Sequence, residues 1–263
     1  MIWRNLMQNS MPLQIVNQDT QEFSRPAVSV CMASYNGEKF IEAQLKSILD
    51  QLSDADEVIV VDDASTDSTC ERVLAFRDAR IHLIQHQQNT GVVRTFEEAI
   101  RLASRPIIIL ADQDDVWAQD KVQTVTRKFL ENPKLMLVAH DATLIDENDQ
   151  VLGPSFLALR GGFSSGLWSN LWKNRYVGCT LAFHSELRRE ILPFPHQYDV
   201  LHDMWIGVRC AWIKTPIEYI DRPLILYRRH SGTATGRKQN NPYRKSRLRI
   251  DLLAALFSFC RRI

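Results

Sequence analysis

No CxxC pair occurs in this chain of 263 residues, and its five cysteines (Cys31, Cys70, Cys179, Cys210 and Cys260) are scattered and odd in number. That pattern supports neither a cysteine-based zinc site nor a disulfide framework, and it fits a reduced protein. No stretch reaches the roughly 18 apolar residues that cross a bilayer. Residues Met1 to Arg25 also lack the apolar centre of a secretory leader. The expectation is a cytoplasmic protein, soluble or peripheral on the inner face of a membrane. Net charge is only +1, so no global field calls for nucleic acid as a partner. Neither an internal repeat nor a clear linker interrupts the chain, whose length suits one principal domain.

Strands alternating with helices fill the first half, the pattern of an α/β protein with a mostly parallel sheet flanked by helices. Strands are predicted over Ala27–Ala33, Glu57–Val61, Ile81–Ile84, Pro106–Leu110 and Leu135–Ala139. Helices are predicted over Glu38–Leu52, Ser68–Phe76, Val92–Ala103 and Asp120–Leu130. The second half is less regular. Gly161–Gly162 and Ser164–Gly166 mark a loop, followed by a helix over Leu167–Lys173, a strand over Val177–Phe183 and a helix over Leu201–Ile213. Short strands are expected at Ile217–Ile220 and Leu224–Tyr227.

Two acidic clusters fall at the carboxyl ends of strands, Asp62-Asp63 after the second and Asp112-Gln113-Asp114-Asp115 after the fourth. Ligands of an open parallel sheet bind just beyond those ends. Several like charges gathered there need a cation or hydrogen-bond donors to offset them. Asp67 reads as a helix cap. The alternating carboxylates of 112–114 suit a hard divalent ion, Mg²⁺ or Mn²⁺, that keeps positions open for a substrate diphosphate.

Seven segments, in order, carry a resemblance: Val28–Gly37, Val60–Asp67, Asn89-Thr90-Gly91, Asp112–Asp115, Gly178-Cys179-Thr180, His202–Trp205 and Tyr227–His230. Together they resemble the family 2 glycosyltransferases of GT-A fold, nearest the rhamnosyltransferase-like branch that builds bacterial O-antigens. The resemblance spans about Ala27 to His230. One departure is His202-Asp203, where many relatives have Glu-Asp.

The resemblance implies an inverting, metal-dependent transfer of a sugar, L-rhamnose by branch, from a TDP- or UDP-sugar to a glycan or lipid-linked saccharide. It places Ser34, Tyr35 and Asn36 in the nucleoside pocket, Asp63 on the imide N–H of the base, and Asp112 on the ribose. Asp114 and His230 would hold Mn²⁺ or Mg²⁺. Arg94, offset from the commonest family pattern, is a candidate diphosphate contact. Asp203 is the expected general base. Gly178, Cys179, Thr180 and Trp205 are the expected acceptor or sugar contacts, with Trp205 by itself reading as core or pocket wall. The other six histidines carry no comparable motif. Trp168 and Trp172, spaced i, i+4, read as a buried helical face in preference to a sugar platform.

By this reading the chain divides into an N-terminal extension (1–26), a transferase domain (27–236, with a nucleotide half 27–115 and an acceptor half 116–236) and a basic amphipathic tail (237–263). The tail holds eight Lys/Arg against Asp251, so the rest of the chain is mildly acidic. Within Arg247–Phe259, Leu248, Leu252, Leu256 and Phe259 share one side. Such a stripe flanked by basic residues can lie in a bilayer interface or pack on the domain as an ordinary helix; the interface is the expectation. Two rival functions stand beside the transferase. A nucleotidyltransferase should have a glycine-rich basic loop after the first strand, where this chain has Ser34-Tyr35-Asn36-Gly37-Glu38. A non-catalytic sugar-nucleotide-binding module would not need Asp203 and His230.

Overall fold

The computed structural model describes residues 25–230 and 242–260. The N-terminal extension up to residue 24 and the start of the tail, with Arg237 and Lys238, lie outside them. The first unit runs β1 (Val28–Ser34), α1 (Ile41–Leu49), β2 (Glu57–Asp62), α2 (Thr69–Ala75), β3 (Ile81–Gln85), α3 (Val92–Leu102) and β4 (Ile107–Asp112). Next come β5 (Val116–Trp117), α4 (Lys121–Glu131), β6 (Leu137–Ile145), β7 (Val151–Gly153), α5 (Leu167–Trp172) and β8 (Leu181–His184). The last elements are α6 (Arg188–Ile191), α7 (His202–Trp212), β9 (Ile217–Arg228) and α8 (Pro242–Cys260).

One sheet holds the nine strands, in the order β3-β2-β1-β4-β8-β6-β9-β5 with β7 beside β6. The β3-β2-β1-β4 half is parallel, β8 runs antiparallel to both neighbours, and β6 pairs parallel with β9. Alternation along the strands feeds two cores. Val28, Val30 and Met32 of β1 join Ile107 and Ile109 of β4 under α1, while Cys31, Ile108 and Leu110 join Phe96 and Ile100 of α3 on the other face. Strands buried on both faces read as the continuous apolar runs seen in the sequence.

Three local departures from the expected elements have identifiable causes. Helix α1 begins at Ile41 because the N–H groups of Phe40 and Ile41 both turn back to the Gly37 carbonyl, at 3.0 Å each. The start of the expected Val177–Phe183 strand is a one-turn 3₁₀ helix, Gly178–Thr180, closed by the Thr180 amide and hydroxyl on the Val177 carbonyl (2.9 and 2.8 Å). The two short strands expected after α7 are one strand, β9. Pro223 lies within it opposite Asp141, where the register with β6 shifts, and a bulge tolerates the missing donor.

The tail differs more. Leu252, Ala255, Leu256 and Phe259 are buried in the core that contains Trp205. The stripe expected at a bilayer is therefore the face with which α8 packs on the domain. Trp168 and Trp172 reverse in the opposite sense: they are 77% and 74% exposed.

Candidate active site

The parallel register aligns the carboxyl ends of β1, β2 and β4. Ser34 sits opposite Asp62, and Ala33 opposite Asp112. The loops that follow are stitched together. Gln113 accepts the Tyr35 N–H (2.8 Å) and donates to the Tyr35 carbonyl (3.0 Å). The Asn36 N–H donates to Ser65 Oγ (2.8 Å), and the Gly37 N–H to Thr69 Oγ1 (2.7 Å). A Cβ on Gly37 would land on the Gln113 side chain, so glycine here is a space requirement. Asp67 accepts from the Thr69 N–H at the start of α2 (3.0 Å) and from the Glu38 N–H (3.1 Å), a cap that also ties two loops.

Asp62 and Asp63 divide their work. Asp62 is buried and accepts from Ser34, the Ser65 N–H and the Ser65 hydroxyl. Asp63 Oδ1 accepts from the Thr90 N–H (2.7 Å) and hydroxyl (3.0 Å) and meets His86 Nδ1 (2.9 Å), whereas Oδ2 accepts only the Gly91 N–H (2.8 Å). Burial would raise the Asp63 pKa, but these donors outweigh it and hold the carboxyl below its usual range.

Two inter-strand steps away, about 10 Å, the acidic loop gathers three carboxylates, Asp112, Asp114 and Asp115. His230 Nε2 lies 2.8 Å from Asp114 Oδ2, and both side chains are partly open to solvent. Arg228 locks the loop from behind: its N–H donates to Asp115 Oδ1 (3.0 Å) and its Nε to the Asp114 carbonyl (2.8 Å). Burial, then the Asp114 charge, pushes Asp112 up to about 7; Asp203 adds to the rise, and Cys179 and Lys121 oppose it. Burial and the Asp114 and Asp112 charges likewise raise Asp115. The Cys179 thiol lies within 4.8 Å of the Asp112 and Asp115 carboxylates. Beneath them Lys121 Nζ, fully buried, donates to the Cys179 carbonyl (2.9 Å) and sits 4.0 Å from the Trp117 ring centre. Burial pulls Lys121 down to about 7 against the pull of the acids. Oxygen and imidazole donors presented together at Asp114 and His230 fit a divalent ion such as Mn²⁺ or Mg²⁺.

Asp203 occupies the first turn of α7. Burial raises it to about 6, while the Met204 amide, the Arg160 charge and the Gly178 amide restrain the rise. Its Oδ1 accepts the Met204 N–H at 2.6 Å. His202 beside it is buried and stacked on Phe96, with ring centres 4.1 Å apart. Its ring nitrogens have no hydrogen-bond partner among the described residues. Burial takes its pKa to about 3, so it is a neutral wedge. A Cβ on Gly178 would sit 2.6 Å from His202 Nε2.

The model of glycosyl transferase family 2 matches residues 29–189, more than half of the chain. The chain belongs to that family. The Escherichia coli glucosyltransferase WfgD, which acts from UDP-Glc on alpha-D-GlcNAc-diphosphoundecaprenol, is 30% identical over 183 residues, covering 69% of this chain and 69% of WfgD. The dTDP-rhamnosyl transferase RfbG of Shigella flexneri is 29% identical over 221 residues, or 78% of this chain and 73% of RfbG. The fold of the Pyrobaculum calidifontis mannosyltransferase PcManGT, solved with GDP-Man and Mn²⁺, superposes with TM-score 0.62 at 24% identity, over 92% of this chain and 66% of that one.

In this family 2 glycosyltransferase the GT-A sheet brings together Ser34, Tyr35, Asn36, Asp63, Asp112, Asp114, Asp203 and His230 along one edge. Arg94 is set apart. It is exposed and lines a hollow of about 650 Å³ with His86, Gln88, Glu97, Glu98 and His196, a lining that includes none of Asp112, Asp114, Asp203 or His230. The expected sugar contacts need correction. Trp205 is fully buried, and its indole N–H donates to the Ile191 carbonyl (2.8 Å), so it supports α7 from within. Gly178, Cys179 and Thr180 are buried too; Cys179 turns its thiol to the acids, and the turn forms the floor of the site. The residues that sequence reasoning missed are His86, Arg160, Lys121 and Gln113. Only Gln113 had a signal, its place inside the acidic motif.

Proposed function

We propose that this glycosyltransferase moves a sugar, with inversion, from a TDP- or UDP-sugar to a saccharide acceptor borne on a lipid, in the building of a bacterial surface polysaccharide. The observation that carries the reading is Asp203: a carboxylate in the first turn of α7, raised to about 6 and close enough to Asp112 to raise it in turn. A base poised near neutral pH takes the acceptor proton as the acceptor oxygen attacks the anomeric carbon. The bond to the diphosphate breaks on the opposite face, and the nucleoside diphosphate leaves with the bonding pair. A positioned base typically contributes ~10²–10⁴-fold.

Asp63 would face the base. Its Oδ2, engaged by one amide, keeps capacity for the imide N–H of uracil or thymine. Asp112 would meet the ribose. Asp114 and His230 would hold Mn²⁺ or Mg²⁺, and such an ion neutralises charge on a departing diphosphate. The glucosyl and rhamnosyl activities in the names of WfgD and RfbG support UDP-glucose and TDP-L-rhamnose as the donors to try first.

The test is release of UDP or TDP from each donor with a GlcNAc-diphospholipid acceptor, with the product anomer read by NMR. Expected is an inverted anomer, formation abolished by EDTA, and a loss of at least a hundredfold in Asp203→Asn. Retained configuration, or near-normal turnover in that variant, overturns the reading.

A further inference from the structure

We propose that the face shared by α5 and α8 is a membrane-docking surface, with Trp168 and Trp172 as the side chains that enter the headgroup region of an anionic bilayer. Helix α5 turns Asn170 and Leu171 inward and leaves the two indoles, one turn apart, outward. Among the described residues they are the two most exposed of the large apolar side chains. Beside Trp172, Lys173 Nζ donates to the Arg160 carbonyl (2.8 Å), and Ile250 of α8, next to Arg249 in sequence, is 63% exposed. The Arg249 guanidinium lies 3.9 Å from the Trp172 ring centre, which joins α8 to the patch. A soluble surface rarely leaves so much apolar area together without a use for it.

The charge names the partner. From Val151 to Ser185 there is no Asp or Glu; Lys173 next to Trp172 is exposed, and the Arg249 guanidinium is held over the Trp172 ring. Along α8 the one acid, Asp251, is buried and paired with Arg247. Exposed indoles flanked by Lys and Arg suit the level of anionic headgroups, since the ring is amphipathic and the cations are drawn to lipid phosphate. A second copy of this chain fits less well, because a two-fold interface would set this basic face against itself.

The location suits the reaction. Helix α5 packs on α7, whose first turn carries Asp203, and the Arg160 charge is felt at Asp203. The surface deepens the reading of a lipid-borne acceptor and rests on it for its purpose: a headgroup presented here meets the helix that packs on the one carrying the proposed base.

The experiment is co-sedimentation of the full chain with phosphatidylglycerol–phosphatidylcholine vesicles and with phosphatidylcholine alone, with tryptophan fluorescence as a second readout. Expected is partition to the anionic vesicles with a blue shift, reduced at least tenfold in Trp168→Ser/Trp172→Ser and weakened by salt. Indifference of the wild type to anionic vesicles, or equal partition of the double variant, overturns the proposal. So does a dimer, seen by light scattering, that the double variant dissolves. No donor or acceptor enters the assay, so failure of the transfer reaction leaves this result standing. A thermal shift with UDP or TDP in the double variant, equal to wild type, shows that the site is intact.

Discussion

His86 Nδ1 lies 2.9 Å from Asp63 Oδ1, and its Nε2 lies 2.8 Å from Glu98 Oε2. One imidazole thus spans the carboxylate assigned to the nucleobase and a glutamate of α3. Burial lowers the His86 pKa, but the hydrogen bonds and charges of Asp63 and Glu98 outweigh it and leave the pKa raised.

The first prediction concerns this pair. His86→Gln should weaken nucleoside diphosphate binding by about tenfold, on the order of 1.4 kcal/mol, as read by titration calorimetry. The stability linkage has a definite sign. A histidine raised by its partners contributes fully below its unfolded value, about 6.5, and loses that contribution as pH rises through the folded value. The gap in Tm between wild type and the variant should therefore be constant below about pH 6.5 and shrink above it; a gap that widens contradicts the charged bridge.

With Asp203 as the proposed base, turnover should follow its ionisation. Its raised pKa means that the basic form is lost as pH falls through about 6. kcat/KM should drop tenfold per pH unit below that point and flatten above it. Asp203→Asn should remove the inflection along with the rate. The acidic limb surviving in that variant would assign it to another group.

The Asp114–His230 pair is testable by metal titration. His230→Ala should raise the Mn²⁺ concentration needed for half-maximal activity by roughly tenfold or more, with the maximal rate recovered in part at saturating ion. Asp114→Asn should remain inactive at any Mn²⁺ concentration. Unchanged metal dependence in both variants would place the ion elsewhere.

Packing behind the site offers a stability test. The Tyr176 ring fills the space beside Gly207 of α7, where a Cβ would fall inside the ring. Gly207→Ala should cost ~1–3 kcal/mol by overpacking, measured by urea denaturation. A shift of α7 would also be expected to lower turnover through Asp203.

The parallel half of the fold was legible in the sequence because apolar runs buried on both faces announce themselves, and the loops after Ser34, Asp62 and Asp112 then fall on one edge by register alone. His230 and Asp203 were reachable through their motifs. His86 was not, because a histidine among glutamines after β3 carries no local pattern, and its partners come from the end of β2 and from α3. Lys121 was hidden for a similar reason: a lysine at a helix start reads as solvated until the chain returns 58 residues later to place the Cys179 carbonyl on it. Periodicity also misassigned the tryptophans and the tail. Spacing of i, i+4 shows that two side chains share a face but not which face is covered, and α5 and α8 resolved that choice in opposite ways.

Strand β9 lies between β6 and β5, and its last residue, Arg228, is bonded to the Asp114 carbonyl and to Asp115. The acidic loop is thus pinned by a segment synthesised more than a hundred residues later. A nascent chain halted at 200 residues already carries β1 to β4 and the 112–115 loop, yet lacks the two Arg228 bonds that hold this loop from behind.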